Sequence, residues 1–414
     1  IIYDVPTTMA GYSPENYNQK YAGVIPADEA LSKSLNVPFV RMLKDYGVQK
    51  FHANLKKVGM TSLDKPATHY GLSLILGGCE VKLIDLISMY AKVGRSVSQF
   101  PTYDEITNST FSYSQPTICK DTIPVMSPSA AWFTLQAMQQ VVRPNREKNW
   151  EEFSTSQRIA WKTGTSFGFR DAWAVGLNSK YVVGVWVGNA DGEGRPGLVG
   201  VQTAAPILLD IFDKLPNSEW FEKPFDEMTE IEICAKSGYR ATQICEEKKP
   251  EFVQNAGLKT QPCPFHILVN VDKTENYQVN TSCESLENIK QKSWFVLPPL
   301  LAYYYKKQNP FYKSLPKFRK DCLGDVKNAM KFRYPTEKST IFLPKNFDGK
   351  QNELILKVAH SNPDAVLYWY SNNTFLGTTK ELHQFAVSPK IGEFKFTVMD
   401  SFGNEIHQKI TIKD

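Results

Sequence analysis

Apolar residues recur three and four positions apart between residues 26 and 58, where Ala27, Ala30 and Leu31, then Val40 and Leu43, then Phe51, Leu55 and Val58 fall on common faces. This pattern predicts two helices separated by a short break at Ser34-Leu35-Asn36-Val37-Pro38. In that break Asn36 is expected to cap, and Pro38 to open, the second helix. Ser34 and Asn36 can then project to the same side. Ser127-Pro128 starts another helical pattern running to about Val142, with Pro144 beyond its end. The period then shortens to two over 158–165, 171–177 and 181–189, with Asn178-Ser179-Lys180 as a turn. These runs predict an antiparallel meander. Helical spacing returns over 203–214, where one apolar face can pack on that sheet.

From Pro216 onward the chain changes character to Cys, Pro and aromatic residues, including Trp294-Phe295-Val296-Leu297-Pro298-Pro299 and Tyr303-Tyr304-Tyr305. This stretch reads as an irregular module whose aromatic residues pack rather than line a ligand box. Alternation resumes from about Met330, in Leu354-Ile355-Leu356-Lys357-Val358, Val366-Leu367-Tyr368-Trp369-Tyr370, Phe394-Lys395-Phe396-Thr397-Val398 and Ile410-Thr411-Ile412. Turn residues such as Asn372-Asn373 and Gly403-Asn404 separate these runs, the pattern of an immunoglobulin-like β-sandwich. The expected organisation is multidomain α+β. Residues 1–216 hold an antiparallel sheet with helices, 217–329 the Cys- and aromatic-rich module, and 330–414 the sandwich.

The 414 residues exceed one ordinary domain, and 42% hydrophobic residues suffice for real cores. A formal charge of +5 without a Lys/Arg stripe interleaved with aromatics argues against a nucleic-acid binder. No run of about 18 apolar residues crosses a membrane. The seven cysteines fall at 79, 119, 234, 245, 263, 283 and 322. Their long irregular spacings lack Cys-x-x-Cys pairs, which favours disulfides formed in an oxidising compartment. Zinc is the competing reading, raised by His266 close to Cys263. Cys234 with Cys245, the shortest closure in the later cluster, is the expected bridge, and no metal or cofactor is expected. The six histidines show no metal-like pair. Two glycosylation-type triplets also occur, Asn108-Ser109-Thr110 and Asn372-Asn373-Thr374.

Trp161-Lys162-Thr163-Gly164-Thr165-Ser166 is the stretch with the most chemistry. In an extended segment Ile159, Trp161 and Thr163 share one face, while Ala160, Lys162 and Gly164 share the other. The second face offers a fixed positive charge at Lys162 and, at Gly164, room for a substrate backbone to lie close. Thr165 adds a hydroxyl for an anion and a backbone N–H for a developing oxyanion. The same letters also fit a strand end entering a turn.

Ser34-x-Asn36 at a helix break, followed far downstream by Lys162-Thr163-Gly164-Thr165, resembles the second and third motifs of penicillin-binding proteins and serine β-lactamases. The surrounding text "GYSPENYNQKYAGVIPADEALSKSLNVPFVRML", "HYGLSLILGGCEVKLIDLISMYA" and "WKTGTSFGFRDAWAVG" is similar to the transpeptidase domain of bifunctional class A penicillin-binding proteins. "GVWVGNADGEGRPGL", "KSGYRATQIC", "GLKTQPCPFH" and "SWFVLPP", followed by a sandwich, resemble the 1C subgroup. The resemblance implies a partial penicillin-binding/β-lactamase-like fold and a D,D-transpeptidase acting on peptidoglycan stem peptides through a serine acyl-enzyme, a site that β-lactams also occupy. It implies that Ser34 relays a proton to the leaving amine, Asn36 binds the substrate amide, and Lys162 holds Ser34 and the local field. Thr165 would take the terminal carboxylate, with Thr163, Gly164 and Ser166 beside it.

The family's first motif, Ser-x-x-Lys, supplies the nucleophile and precedes Ser-x-Asn; no such match lies ahead of Ser34. Ser62-Leu63-Asp64-Lys65 has the spacing but follows the second motif, and Ser314-Leu315-Pro316-Lys317 contains a proline that opposes a helix. The expectation is therefore a piece of a longer enzyme, inactive alone, whose parent carries the nucleophile, a glycosyltransferase domain and a membrane anchor upstream, at the periplasmic face of a bacterial inner membrane. A non-catalytic peptidoglycan-binding or scaffolding protein is the alternative. A β-lactamase is disfavoured, since nothing in those enzymes calls for the last two modules. What the sandwich binds is left open.

Overall fold

The apolar periodicity near the start resolves into three helices rather than two, α1 (Ala27–Ser32), α2 (Asn36–Tyr46) and α3 (Val48–Val58). The unforeseen break falls at Gly47, whose φ of 97° bends the chain while the apolar spacing runs on across it. Leu35, not Asn36, is the N-cap of α2, and Asn36 is its first helical residue. Pro38 lies within the first turn, where its missing N–H would have had no intrahelical partner. This computed structural model describes residues 1–9, 12–98, 107–109, 118–120, 126–143, 157–322, 329–337, 339–344, 352–360, 362, 364–372, 374–401 and 403–413. Pro144, Thr110 and Asn373, singled out above, lie outside the described residues, as does the side chain of Cys119.

Two units follow from the contacts, one of Ile1–Ile2, Ile25–Arg240 and Lys248–Pro262, the other of Tyr3–Val24, Ala241–Glu247 and Cys263–Asp414. In the first, the helices α4 (Leu83–Ser98) and α5 (Pro128–Gln139) precede the meander. Ser127 caps α5 by accepting the Ala130 N–H at 3.2 Å, with proline at the first helical position. Strands β1 (Ala160–Thr165), β2 (Asp171–Leu177) and β3 (Val182–Gly188) form the expected antiparallel sheet in that order. Asn178 shapes the second turn, its side-chain oxygen accepting the N–H groups of Lys180 at 3.0 Å and Tyr181 at 2.8 Å.

Helix α6 (Gly200–Lys214) begins earlier than its apolar pattern suggested and covers one face of the sheet. There Ile159, Trp161, Ala172, Ala174 and Val185 pack against Ala204, Ala205, Leu208, Leu209 and Phe212. On the opposite face Ala160 and Leu177 meet Val97 of α4 and Ala131, Leu135 and Met138 of α5. The sheet is thus buried on both sides near the start of β1. Toward Gly164 and Thr165 it becomes exposed, so the chemistry-bearing end of the strand projects from a rigid base. Strands β4 (Met228–Cys234) and β5 (Lys248–Gln254) pair antiparallel in the same unit.

The second unit holds the antiparallel pair β6 (His266–Val271) and β7 (Lys290–Phe295), then helix α7 (Pro299–Gln308). The disulfide Cys283–Cys322 ties this region together. The expected Cys234–Cys245 bridge does not form; neither residue is disulfide-bonded. The Cys245 sulfur takes the backbone N–H of Thr242 at 3.3 Å.

The last eight strands are β8 (Met330–Tyr334), β9 (Thr340–Phe342), β10 (Leu354–His360), β11 (Val366–Ser371), β12 (Thr374–Lys380), β13 (Gln384–Val387), β14 (Gly392–Asp400) and β15 (Glu405–Lys413). They form two sheets, ordered β8-β10-β13 and β9-β15-β14-β11-β12. Leu354, Leu356, Leu367, Trp369, Phe396, Val398, Ile410 and Ile412 fill the space between them, as the alternation required. His360 is part of this architecture, its Nε2 donating to the buried Asp400 carboxylate at 2.9 Å.

Candidate functional site

The site grows from two local conformations in the first unit. At the end of α1 the Leu35 N–H reaches the Ala30 carbonyl at 3.1 Å and the Ser34 N–H reaches that of Leu31 at 3.1 Å. These two bonds make a Schellman closure, with Ser34 at the position that is usually glycine because φ is positive there. Ser34 has φ of 54°, so a residue with a Cβ occupies a left-handed conformation that costs about 1–2 kcal/mol. Glycine would close α1 equally well. It would not supply the hydroxyl, and strained backbone held in place by its surroundings is common where a side chain has work to do.

That hydroxyl accepts a hydrogen bond from the Lys162 ammonium. The ammonium also donates to the Thr163 carbonyl at 2.9 Å. Burial at the root of β1 pushes the Lys162 pKa down to about 8. Because the lysine donates to Ser34 Oγ, the Ser34 proton is left to point elsewhere. Asn36 follows two residues later as the first, half-buried residue of α2. The structure therefore joins Ser34 to Lys162 across 128 residues of sequence and sets Asn36 one short step from them.

Beyond Lys162, Thr163 is half-buried while Gly164 and Thr165 are exposed. Thr165 Oγ1 accepts the Gly200 N–H at 3.0 Å, so the strand end meets the N-terminus of α6. A Cβ on Gly200 would lie 2.3 Å from the Gly164 carbonyl oxygen and 2.7 Å from that of Trp173, so only glycine lets the helix end sit directly on β1 and β2. The Thr165 hydroxyl keeps its own proton for a ligand, in a place where the helix end already favours negative charge. Gly200 was missed in the sequence; a glycine just before an apolar helical run was its one signal. Ser166 has a more local duty. Its hydroxyl accepts the Asp171 N–H at 2.8 Å and closes the loop between β1 and β2, leaving Phe167 fully exposed at the tip.

Neither Ser-x-x-Lys decoy shows a serine–lysine pairing. The Ser62 hydroxyl donates to the Glu80 carbonyl at 2.6 Å, while Lys65 lies 3.3 Å from the Asp64 carboxylate. The residues around Ser314 and Lys317 lie outside any helix, and the Lys317 carbonyl accepts the Gln278 N–H at 2.9 Å.

Residues 3–211 match the family described as "Penicillin binding protein transpeptidase domain", and residues 319–412 match the "Penicillin-Binding Protein C-terminus Family". Among similar curated proteins, "Penicillin-binding protein 1C" of Escherichia coli strain K12 is 35% identical over 211 residues, covering 51% of this chain and 26% of the relative. "Penicillin-binding protein 1B" of Vibrio cholerae is 28% identical over 201 residues, covering 46% of this chain and 25% of the relative. The matched region thus spans about a quarter of these relatives' length. A solved structure of penicillin-binding protein 1A from Haemophilus influenzae aligns with TM-score 0.47 and 17% identity, over 63% of this chain and 44% of that one.

The left-handed Ser34 can be weighed by comparing two variants that both lack its hydroxyl. Ser34→Gly should be more stable than Ser34→Ala by about 1 kcal/mol in urea denaturation, because only glycine adopts positive φ without cost. Equal stabilities would show that this backbone is not strained.

Burial of Lys162 gives a pH dependence with a defined sign. The unfolded chain holds this proton up to the ordinary lysine value of 10.5, the folded one only up to about 8. Between those values the unfolded state binds more protons, so folding stability gains from this residue as pH rises from about 8 to 10.5. Lys162→Met should therefore be more favourable relative to the parent chain at pH 7 than near pH 10.5, whatever its constant offset. A stability difference that stays flat across the two pH values counts against a buried, depressed ammonium.

Proposed function

The chain belongs to the penicillin-binding protein transpeptidases, and from that membership we propose that it is the Ser-x-Asn and Lys-Thr-Gly half of a class A, 1C-type D,D-transpeptidase acting on peptidoglycan stem peptides. The observation that carries this reading is the hydrogen bond from the Lys162 ammonium to the Ser34 hydroxyl. It joins two motif residues far apart in sequence. Around that bond the proposed roles follow from chemistry. Lys162, with a pKa brought near 8, sits where it can exchange a proton through Ser34 with little change in free energy. Ser34 passes its proton to the leaving amine, and Asn36 binds the amide of the stem peptide.

The carboxylate of a terminal D-alanine is given to Thr165, whose hydroxyl proton remains available beside the start of α6. Gly164 lets the substrate backbone lie against β1, Thr163 flanks the carboxylate, and Ser166 fixes the loop that follows. The Thr165 backbone N–H supplies half of an oxyanion hole. The attacking serine comes from a Ser-x-x-Lys segment outside these 414 residues, so this chain alone does not acylate. In the same reading a glycosyltransferase domain and a membrane anchor lie upstream, the site faces the periplasm, and β-lactams acylate the supplied serine. The domain division at about 216 and 329 also belongs to this proposal. Among the described residues no helix is long and apolar enough to cross a membrane.

Fluorescent penicillin tests the proposal on two proteins, the 414-residue chain and a form extended upstream through a Ser-x-x-Lys helix. The extended form should label and the shorter one should not. In the extended form Thr165→Ala and Lys162→Ala should each slow acylation by about 10²- to 10³-fold, the usual cost of losing one stabilising donor. An extended form that stays unlabelled points instead to a scaffolding protein. Labelling of the short chain at a serine of its own would overturn the proposed division of the site.

A further inference from the structure

We propose that Cys245, Cys263 and His266 bind a zinc ion. Cys245, Cys263 and His266 are only 4%, 6% and 4% exposed, and each offers a ligand atom within 4.8 Å of the others. Cys263 Sγ and His266 Nδ1 are 3.4 Å apart. Around a tetrahedral zinc with bonds of about 2.3 Å to sulfur and 2.0–2.1 Å to nitrogen, adjacent sulfur and nitrogen ligands stand about 3.5 Å apart. The two residues come from Cys263-Pro264-Phe265-His266, a tight Cys-x-x-His step leading directly into β6.

A thiolate needs compensation when buried, and Cys245 has it. The backbone N–H of Thr242 lies 3.3 Å from its sulfur, as does the Thr242 hydroxyl. Such outer hydrogen bonds are what orient a metal-bound thiolate and spread its charge. None of the three side chains takes part in the Lys162 site, and neither Cys245 nor Cys263 is disulfide-bonded.

Two thiolates and one neutral imidazole are soft and borderline donors, which select zinc over magnesium or calcium.

The test uses the whole 414-residue chain, purified without chelator in zinc-supplemented buffer, with metal content read by mass spectrometry. Close to one zinc per chain should survive dialysis. Cys263→Ser, Cys245→Ser and His266→Ala should each lower bound zinc on the order of tenfold, the loss of one ligand. Cys79→Ser should leave it unchanged. Cobalt added to the metal-free parent chain should give thiolate-to-cobalt charge-transfer absorption with tetrahedral d–d bands, a readout independent of whether any variant folds. Only trace zinc together with no cobalt spectrum would overturn the proposal. So would a disulfide joining Cys245 and Cys263 in non-reducing peptide mapping.

Discussion

An ammonium taken out of water needs acceptors, and much of the first unit is arranged around that demand at Lys162. Two oxygens meet it, the Thr163 carbonyl on the same strand and the Ser34 hydroxyl from the far end of α1. The second of these requires the chain to leave α1 through a left-handed residue that is not glycine. The cost of that conformation is about 1–2 kcal/mol, comparable to the 1.5–3 kcal/mol a hydrogen bond to a charged group contributes. Local backbone and buried charge therefore nearly balance. This explains how serine can persist where helix geometry favours glycine. A depressed pKa results from the same burial, so the geometry that strains Ser34 also makes Lys162 a ready proton donor.

The other end of β1 is governed by contact between backbones. Gly200 brings the start of α6 against the carbonyls of Gly164 and Trp173, closer than any side chain allows. The consequence is electrostatic as well as steric. The N-terminus of a 15-residue helix meets the strand end, where Thr165 accepts the Gly200 N–H. Lys162 at one end and the helix terminus at the other place positive potential along one strand edge. A ligand ending in a carboxylate would match the sign of that edge.

Much of this was legible in the sequence, for reasons that differ by region. The meander and the sandwich were read well because strict alternation leaves a strand little freedom, and Trp161 and Trp369 are buried where their faces required. The alternation that put Lys162 opposite Trp161 likewise anticipated which face would carry the ammonium. Where glycine acted, the reading faltered. Gly47 broke a helix whose apolar spacing continued unbroken, and Gly200 shaped the site through what it lacks. Asn36 lost its expected capping position because closure at the end of α1 put Leu35 into the extended cap conformation. Nothing in the sequence announced that Thr165 would meet a helix end, since that pairing is made only by the tertiary fold.

The cysteines were read as bridging Cys234 to Cys245, and the bridge that forms is Cys283–Cys322. Between α6 and the sandwich, a local apolar cluster around β6 and β7 buries Val269, Val271 and Trp294. An irregular stretch of this kind also gains from cross-links that restrict its unfolded state. Cys283–Cys322 is one such link. The second concentration of buried sulfur and imidazole, at Cys245, Cys263 and His266, lies beside the same strands but contains no disulfide between its two thiols. The Cys245 sulfur receives the Thr242 N–H, a contact that a purely apolar role would not need. A cation held by these three side chains would fasten the start of β6 to the loop that carries Cys245.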